Sequence, residues 1–134
     1  MKISILLPYK ENFSPIYPGA VSLFVKDTSK YSKYRNKITV YGSTEYRKIF
    51  NLNYVNIFLP KKAIGSLTKI YVSKFISYER INKSNLIEVH NRPNYLKYFY
   101  KKLNKRNYTL FFHNDPLSMD GSKTIEERMF LLKF

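Results

Sequence analysis

Apolar residues along the chain form five short runs that alternate with longer segments of helical periodicity. Residues 3–7 form an apolar run closed by Pro8, a pattern typical of a strand that is buried on both faces. Short runs that end at turn residues predict four further strands, over residues 38–41, 55–59, 86–89 and 108–112.

Between the predicted strands, apolar residues recur every three or four positions, which predicts helices. The first helix begins near Gly19, and its predicted apolar face consists of Val21, Phe24, Val25, Thr28 and Tyr31. The second follows Ser66, a favoured N-cap residue, and its predicted face consists of Leu67, Ile70, Tyr71, Phe75 and Tyr78.

Two more helices are predicted in the second half of the chain. Pro93 suits the first position of a helix because the N–H that it lacks would have no partner there. The face of that helix consists of Leu96, Phe99, Tyr100 and Leu103. Thr124 and Glu127 have capping-box spacing, and the helix behind them has a face of Ile125, Met129 and Leu132. We expect this last helix to continue to Phe134 while still apolar, and the chain therefore to be part of a longer protein.

Strands that alternate with helices at this spacing predict right-handed βαβ crossovers and a parallel sheet. The expected fold is α/β: a Rossmann-like, three-layer domain with a mostly parallel sheet of about five strands and helices on both faces. A length of 134 residues fits one domain, and no internal repeat or linker interrupts it.

Composition narrows the possible classes of protein. Hydrophobic residues make up 44% of the chain, enough for a packed core, and no apolar run is long enough to predict a transmembrane helix. The absence of cysteine excludes disulfides and thiolate catalysis and is compatible with the cytoplasm, where we expect the protein. The net charge is +15, from 24 Lys and Arg against 9 Asp and Glu. Two explanations of that charge stay open: codon bias in an A/T-rich genome, or a surface for an anionic partner.

Polar side chains follow the first, fourth and fifth predicted strands, at the edge where a doubly wound sheet binds ligands. His90 ends the fourth strand and His113 ends the fifth, while Gly19 opens a helix whose N-terminus could accept an anion. The structural alternative is that the histidines only cap carbonyl groups and that Gly19 is a plain turn. Glu88 lies inside a strand, and we expect it to be structural. No pair among His90, His113, Asp115 and Asp120 has the spacing of metal ligands on one helix, and we expect no metal.

Aromatic and basic residues interleave over residues 98–106. The cations there, which could contact membrane headgroups or a phosphate backbone, are Lys101, Lys102, Lys105 and Arg106. The alternative is an ordinary helix with a core-facing aromatic side and a solvated basic side.

Five segments of the chain carry a family resemblance. They are Lys2-Ile3-Ser4-Ile5, Tyr17-Pro18-Gly19-Ala20, Ile87-Glu88-Val89-His90-Asn91-Arg92-Pro93, Phe111-Phe112-His113-Asn114-Asp115-Pro116, and Gly121-Ser122-Lys123-Thr124 with Glu127-Arg128. Over nearly its whole length the chain resembles the N-terminal half of a family 4 glycosyltransferase with the two-domain GT-B architecture. The resemblance implies a retaining, metal-independent enzyme without a cofactor, in which a nucleotide-sugar is the co-substrate and a cell-surface glycan or lipid is the acceptor.

The resemblance also assigns roles by position. His113 matches the histidine that contacts the donor sugar near its reacting carbon, and Gly19 with Ala20 matches the loop that approaches the donor diphosphate. Pro18 stands where that loop usually has its first glycine. The residues that would line the acceptor cleft are His90, Asn91, Arg92, Asn114 and Asp115. Arg92 suits an acidic sugar or a phosphate group.

The family's C-terminal domain, which holds most of the nucleotide-sugar, has no counterpart in these residues. We therefore expect the chain alone not to turn over donor, and we expect a peripheral position at the inner face of the cytoplasmic membrane. The alternative function is a non-catalytic α/β module that binds nucleic acid or an anionic glycan through its basic face. Of these partners we expect nucleic acid least, and strongly salt-dependent binding would reveal it.

Overall fold

A computed structural model of the chain describes residues 1–103 and 105–134. Asn104, inside the aromatic and basic stretch, lies outside the described residues. The described residues form one five-stranded sheet whose strands are β1 (Ile3–Leu6), β2 (Ile38–Gly42), β3 (Tyr54–Asn56), β4 (Leu86–His90) and β5 (Asn107–Phe111). The order is β3-β2-β1-β4-β5 and every pairing is parallel, so the predicted α/β sheet is confirmed. Strand order reverses between β1 and β4, which places a ligand crevice at their carboxyl ends.

The helices begin close to the predicted positions. They are α1 (Ala20–Tyr31), α2 (Leu67–Asn82), α3 (Leu96–Lys102) and α4 (Ile125–Leu131). Ser66 caps α2, and Thr124 and Glu127 form the predicted capping box in front of α4. Pro93 opens a short 3₁₀ turn rather than α3 itself, which starts three residues later.

Apolar clusters fill both sides of the sheet, as the three-layer prediction requires. The α1 side includes Ile5, Phe13, Val25 and Val40. The α2 and α3 side includes Leu6, Tyr71, Phe75, Ile87 and Phe99. Both faces of the central strands are therefore removed from water, which explains why their sequences are nearly continuous apolar runs.

Other predictions of detail are also wrong. Strand β3 ends at Asn56 because its partner, β2, ends at Gly42 and offers no further ladder. The face predicted for α4 is exposed, since that helix packs instead through Phe130 and Leu131, and it ends at Leu131 before the chain does. In α1 the buried face is rotated: Tyr31 is 79% exposed, and Phe24 lies at the edge of the core.

Candidate functional site

The two histidines of the chain meet at the carboxyl end of β4. Nδ1 of His90 lies 2.8 Å from Nε2 of His113, and the two rings stack with centroids 5.1 Å apart. The parallel register pairs His90 with Phe111, so the chain after β5 turns back over the end of β4. Asn91 secures that turn, because its Oδ1 accepts a 2.7 Å hydrogen bond from the backbone N–H of His113.

Glu88 extends this contact into the sheet. Its Oε1 lies 2.7 Å from Nε2 of His90, whose side chain is completely buried. Residues two apart in a strand point to the same face, so Glu88 and His90 both face the α1 side of the sheet. The result is one hydrogen-bonded line, Glu88–His90–His113, that runs from the sheet to an exposed ring.

Aromatic rings contact both imidazoles. Phe111 stacks on His90 at 4.9 Å, nearly parallel to it, and the edge of Phe24 meets His113 at 4.8 Å. Burial and the neighbouring His90 lower the pKa of His113, against the opposing pull of Glu11 and Glu88. The neutral imidazole is thereby favoured at His113, and neutral imidazole can accept a hydrogen bond or a proton.

The N-terminus of α1 already holds an anion from the chain itself. A carboxylate oxygen of Glu11 accepts a 2.9 Å hydrogen bond from the backbone N–H of Ser22. A Cβ on residue 19 would overlap that carboxylate, so the N-cap Gly19 permits the approach. Glu11 therefore occupies the position at which Gly19 and Ala20 were expected to receive a diphosphate, and a phosphate there must displace it.

A polar cleft of about 470 Å³ opens on the other side of the end of β4. It is lined by Asn91, Arg92 and Asn114, as expected of an acceptor site, and also by Thr68, Asn94, Ser118, Met119, Asp120 and Lys123. Arg92 and Lys123 give the cleft two cations, although Lys123 also pairs with Asp120 at 2.7 Å. Cations and amides in one cleft suit an acidic, hydroxyl-rich group.

Two residues predicted for the acceptor side have other contacts. His90 does not line the cleft: it is fully buried, both ring nitrogens are engaged, and it lies on the α1 side of the sheet. The carboxylate of Asp115 accepts a 3.0 Å hydrogen bond from the N–H of Leu117 and caps the short turn Pro116–Ser118.

The predicted basic surface lies at the amino ends of the strands, opposite the end that carries the histidines. Helix α3 runs back toward the amino end of β5, so its last residues are remote from the histidines. Lys101, Lys102 and Lys105 are exposed there, whereas Arg106 is partly buried.

A second apolar and basic surface, which the sequence did not suggest, follows β3. Like the histidines, it lies at the carboxyl ends of the strands. Phe58 is 73% exposed, and Ile64 is fully exposed between Lys62 and Lys69. A groove of about 610 Å³ adjoins it at the ends of β1, β2 and β3, but neither histidine lines that groove. Neither histidine lines the 470 Å³ cleft, but Asn91 does, and Asn91 also accepts the hydrogen bond from the His113 N–H. We therefore place the candidate site at the histidines and that cleft.

Glu88 and Glu11 are among the site residues that the sequence did not identify. The sequence did indicate that Glu88 lies near His90, since a carboxylate two residues before it in a strand must share its face. It gave no such indication for Glu11, because only the folded loop after β1 brings that residue to α1.

Comparisons of the chain with protein-family models, with curated proteins and with solved structures found no match. Residues 1–103 and 105–134 contain no group of three or more metal-ligating side chains placed to hold an ion. None of the helices in these same residues is both long and apolar enough to cross a bilayer.

Proposed function

We propose that this chain is the acceptor-side domain of a retaining glycosyltransferase that uses a nucleotide-sugar donor and a glycan or lipid-linked acceptor. The observation that carries the proposal is the meeting of His113 with His90 and Asn91 beside the N-terminus of α1. These groups come from three strand ends at the point where strand order reverses, the usual ligand position in such sheets.

In this proposal the two sides of the end of β4 take different substrates. On the α1 side, His113 contacts the donor sugar, and the N–H groups of α1 meet the leaving diphosphate once Glu11 has moved away. On the other side, Arg92 and Lys123 bind an acidic group of the acceptor in the polar cleft. Departure of a nucleoside diphosphate builds negative charge, which a helix N-terminus and cations stabilise without a metal.

A membrane position is part of the proposal, because a lipid-linked acceptor would be presented at a bilayer. We assign that contact to the surface around Phe58 and Ile64, where exposed apolar side chains stand among lysines. This surface and the candidate site both lie at the carboxyl ends of the strands. The opposite end of the sheet carries Lys101, Lys102, Lys105 and Arg106. The expected test is sedimentation with anionic vesicles: a Phe58→Ser, Ile64→Ser double variant loses binding, and a Lys101→Ala, Lys102→Ala control retains it. The opposite pattern would return the contact to α3.

The enzymatic test uses the complete gene product that contains these residues. Release of nucleoside diphosphate is measured with a panel of nucleotide-sugars and bacterial membranes as acceptor. His113→Ala should lower turnover by on the order of a hundredfold, the usual effect of losing one group that contacts the transition state. Tyr31→Ala, an exposed aromatic change in α1, serves as the control and should leave turnover unchanged.

Two outcomes would overturn the proposal. One is a gene product without a second α/β domain; the other is full turnover in the His113→Ala variant. Tight binding to DNA that weakens steeply with salt would instead support the non-catalytic alternative, a nucleic-acid-binding module.

A further inference from the structure

The line Glu88–His90–His113 restricts where protons can lie. An ionised carboxylate can only accept hydrogen bonds, so Nε2 of His90, 2.7 Å from Glu88, must donate. A neutral imidazole has a single N–H. His90 therefore has no proton on Nδ1, and Nδ1 is an acceptor.

The same restriction passes to His113. Its Nε2 lies 2.8 Å from Nδ1 of His90 and must donate to it, which places the single proton of neutral His113 on Nε2. Nδ1 of His113 is then a bare acceptor on an exposed ring, and in the described part of the chain it makes no hydrogen bond. We propose that Glu88 and His90 are positioning residues that fix this tautomer, so that His113 presents an acceptor nitrogen to its ligand.

One added proton reverses the polarity of that nitrogen. If the proton is on His113, both of its nitrogens carry hydrogen. If it is on His90, then Nδ1 of His90 donates to Nε2 of His113, and the hydrogen of His113 moves to Nδ1. In either case Nδ1 of His113 changes from acceptor to donor.

Several groups face the pair and determine the pH of this reversal. Burial and the neighbouring His90 lower the pKa of His113, while Glu11 from the loop after β1 and Glu88 from β4 act in the opposite direction. Phe24 of α1 and Phe111 of β5 add no charge and limit the access of water. The pKa of His113 is lowered on balance, so the acceptor form extends below the ordinary histidine range.

The acceptor form selects the chemistry of the ligand. A bare nitrogen accepts from a hydroxyl group but repels a phosphate oxygen, which can only accept. His113 should therefore contact a hydroxyl of the sugar and not the diphosphate. This last step rests on the proposed function, whereas the tautomer does not.

The test is nitrogen-15 NMR of the histidine rings in the unliganded chain, which contains two histidines. At about pH 8, above the ordinary histidine pKa of about 6.5, both rings should carry hydrogen on Nε2 alone. In Glu88→Gln the amide can donate as well as accept, so the hydrogen bonds that join residue 88, His90 and His113 can run in either direction. The Nδ1–H form of His113 should then become detectable, since both arrangements contain equal numbers of hydrogen bonds. Glu126→Gln, the same change at an exposed position, should leave both rings unchanged.

The spectrum of the unmodified chain decides the proposal even if the Glu88 variant does not fold. Hydrogen on Nδ1 of His113 at about pH 8 would overturn it. An unchanged His113 tautomer in folded Glu88→Gln would also overturn it, since Glu88 would then not be the cause. A failure of sugar transfer leaves this measurement unaffected, so the two proposals can fail separately.

Discussion

Replacing the buried Glu79 with alanine should strongly destabilise the domain. Glu79 lies on the inner face of α2 and is completely buried. Its carboxylate accepts hydrogen bonds from Ser4 of β1, from the Ser84 hydroxyl at 2.6 Å and from the Ser84 N–H at 3.3 Å, and one from Asn82 at 3.3 Å. The carboxylate thus joins the end of α2 to β1 and to the segment that enters β4.

The magnitude follows from what alanine leaves behind. Ser4 and Ser84 are 0% and 2% exposed, so their donors would lose a partner in a region without ready access to water. Each buried donor without a partner costs about 1–3 kcal/mol, and we expect a total loss of about 3–5 kcal/mol in the free energy of unfolding. Glu79→Gln keeps the volume and one acceptor oxygen, and should cost about 1–2 kcal/mol.

Urea denaturation followed by circular dichroism measures both variants. Glu45→Ala, which removes an exposed carboxylate, is the control and should change stability by less than about 0.5 kcal/mol. A loss below about 1 kcal/mol for Glu79→Ala, with an unchanged slope, would refute the reasoning. If the alanine and glutamine variants lost equal free energy of unfolding, the volume and remaining acceptor oxygen of glutamine would not contribute to stability.

Three further predictions concern the site and its surroundings. Glu11→Gln removes a carboxylate from the positive end of α1, so the free energy of unfolding should fall by about 0.5–2 kcal/mol. Pyrophosphate binding, measured by calorimetry, should become stronger, and weaker binding would contradict this. The pKa of His113 is lowered in the folded chain, so stability should fall as pH drops below about 6.5. His113→Asn should flatten that decline, and an unchanged decline in this variant would show that His113 is not its cause. Burial raises the pKa of Tyr108 to about 12, so stability should fall as pH rises from about 10 toward that value, and Tyr108→Phe should reduce the fall; an ordinary pKa in ultraviolet titration would refute it.

The sequence predicted the architecture because its signals are local. Alternation between short apolar runs and helical periodicity depends only on neighbouring residues, and it identified the parallel α/β sheet and each of its helices. The caps at Ser66 and Thr124 were likewise predictable, because a cap and its partner are three residues apart.

The ends and faces of elements were less predictable because a neighbour decides them. Strand β3 stops where β2 stops, although apolar residues continue to Leu59. The buried face of α1 is rotated toward Ser22 and Ser29, while Phe24 contacts the rings of His113 and Phe111 at the carboxyl end of the sheet.

The sequence by itself determined that polar strand ends share one edge, since parallel strands end on the same side. It did not determine which side chains touch there. His90 and His113 are 23 positions apart, and only the pairing of β4 with β5 brings their rings within 2.8 Å. Glu11 reaches α1 through a loop that no periodicity describes. Tertiary structure decided these contacts because they depend on strand register and loop path, which are set by the packing of the whole sheet.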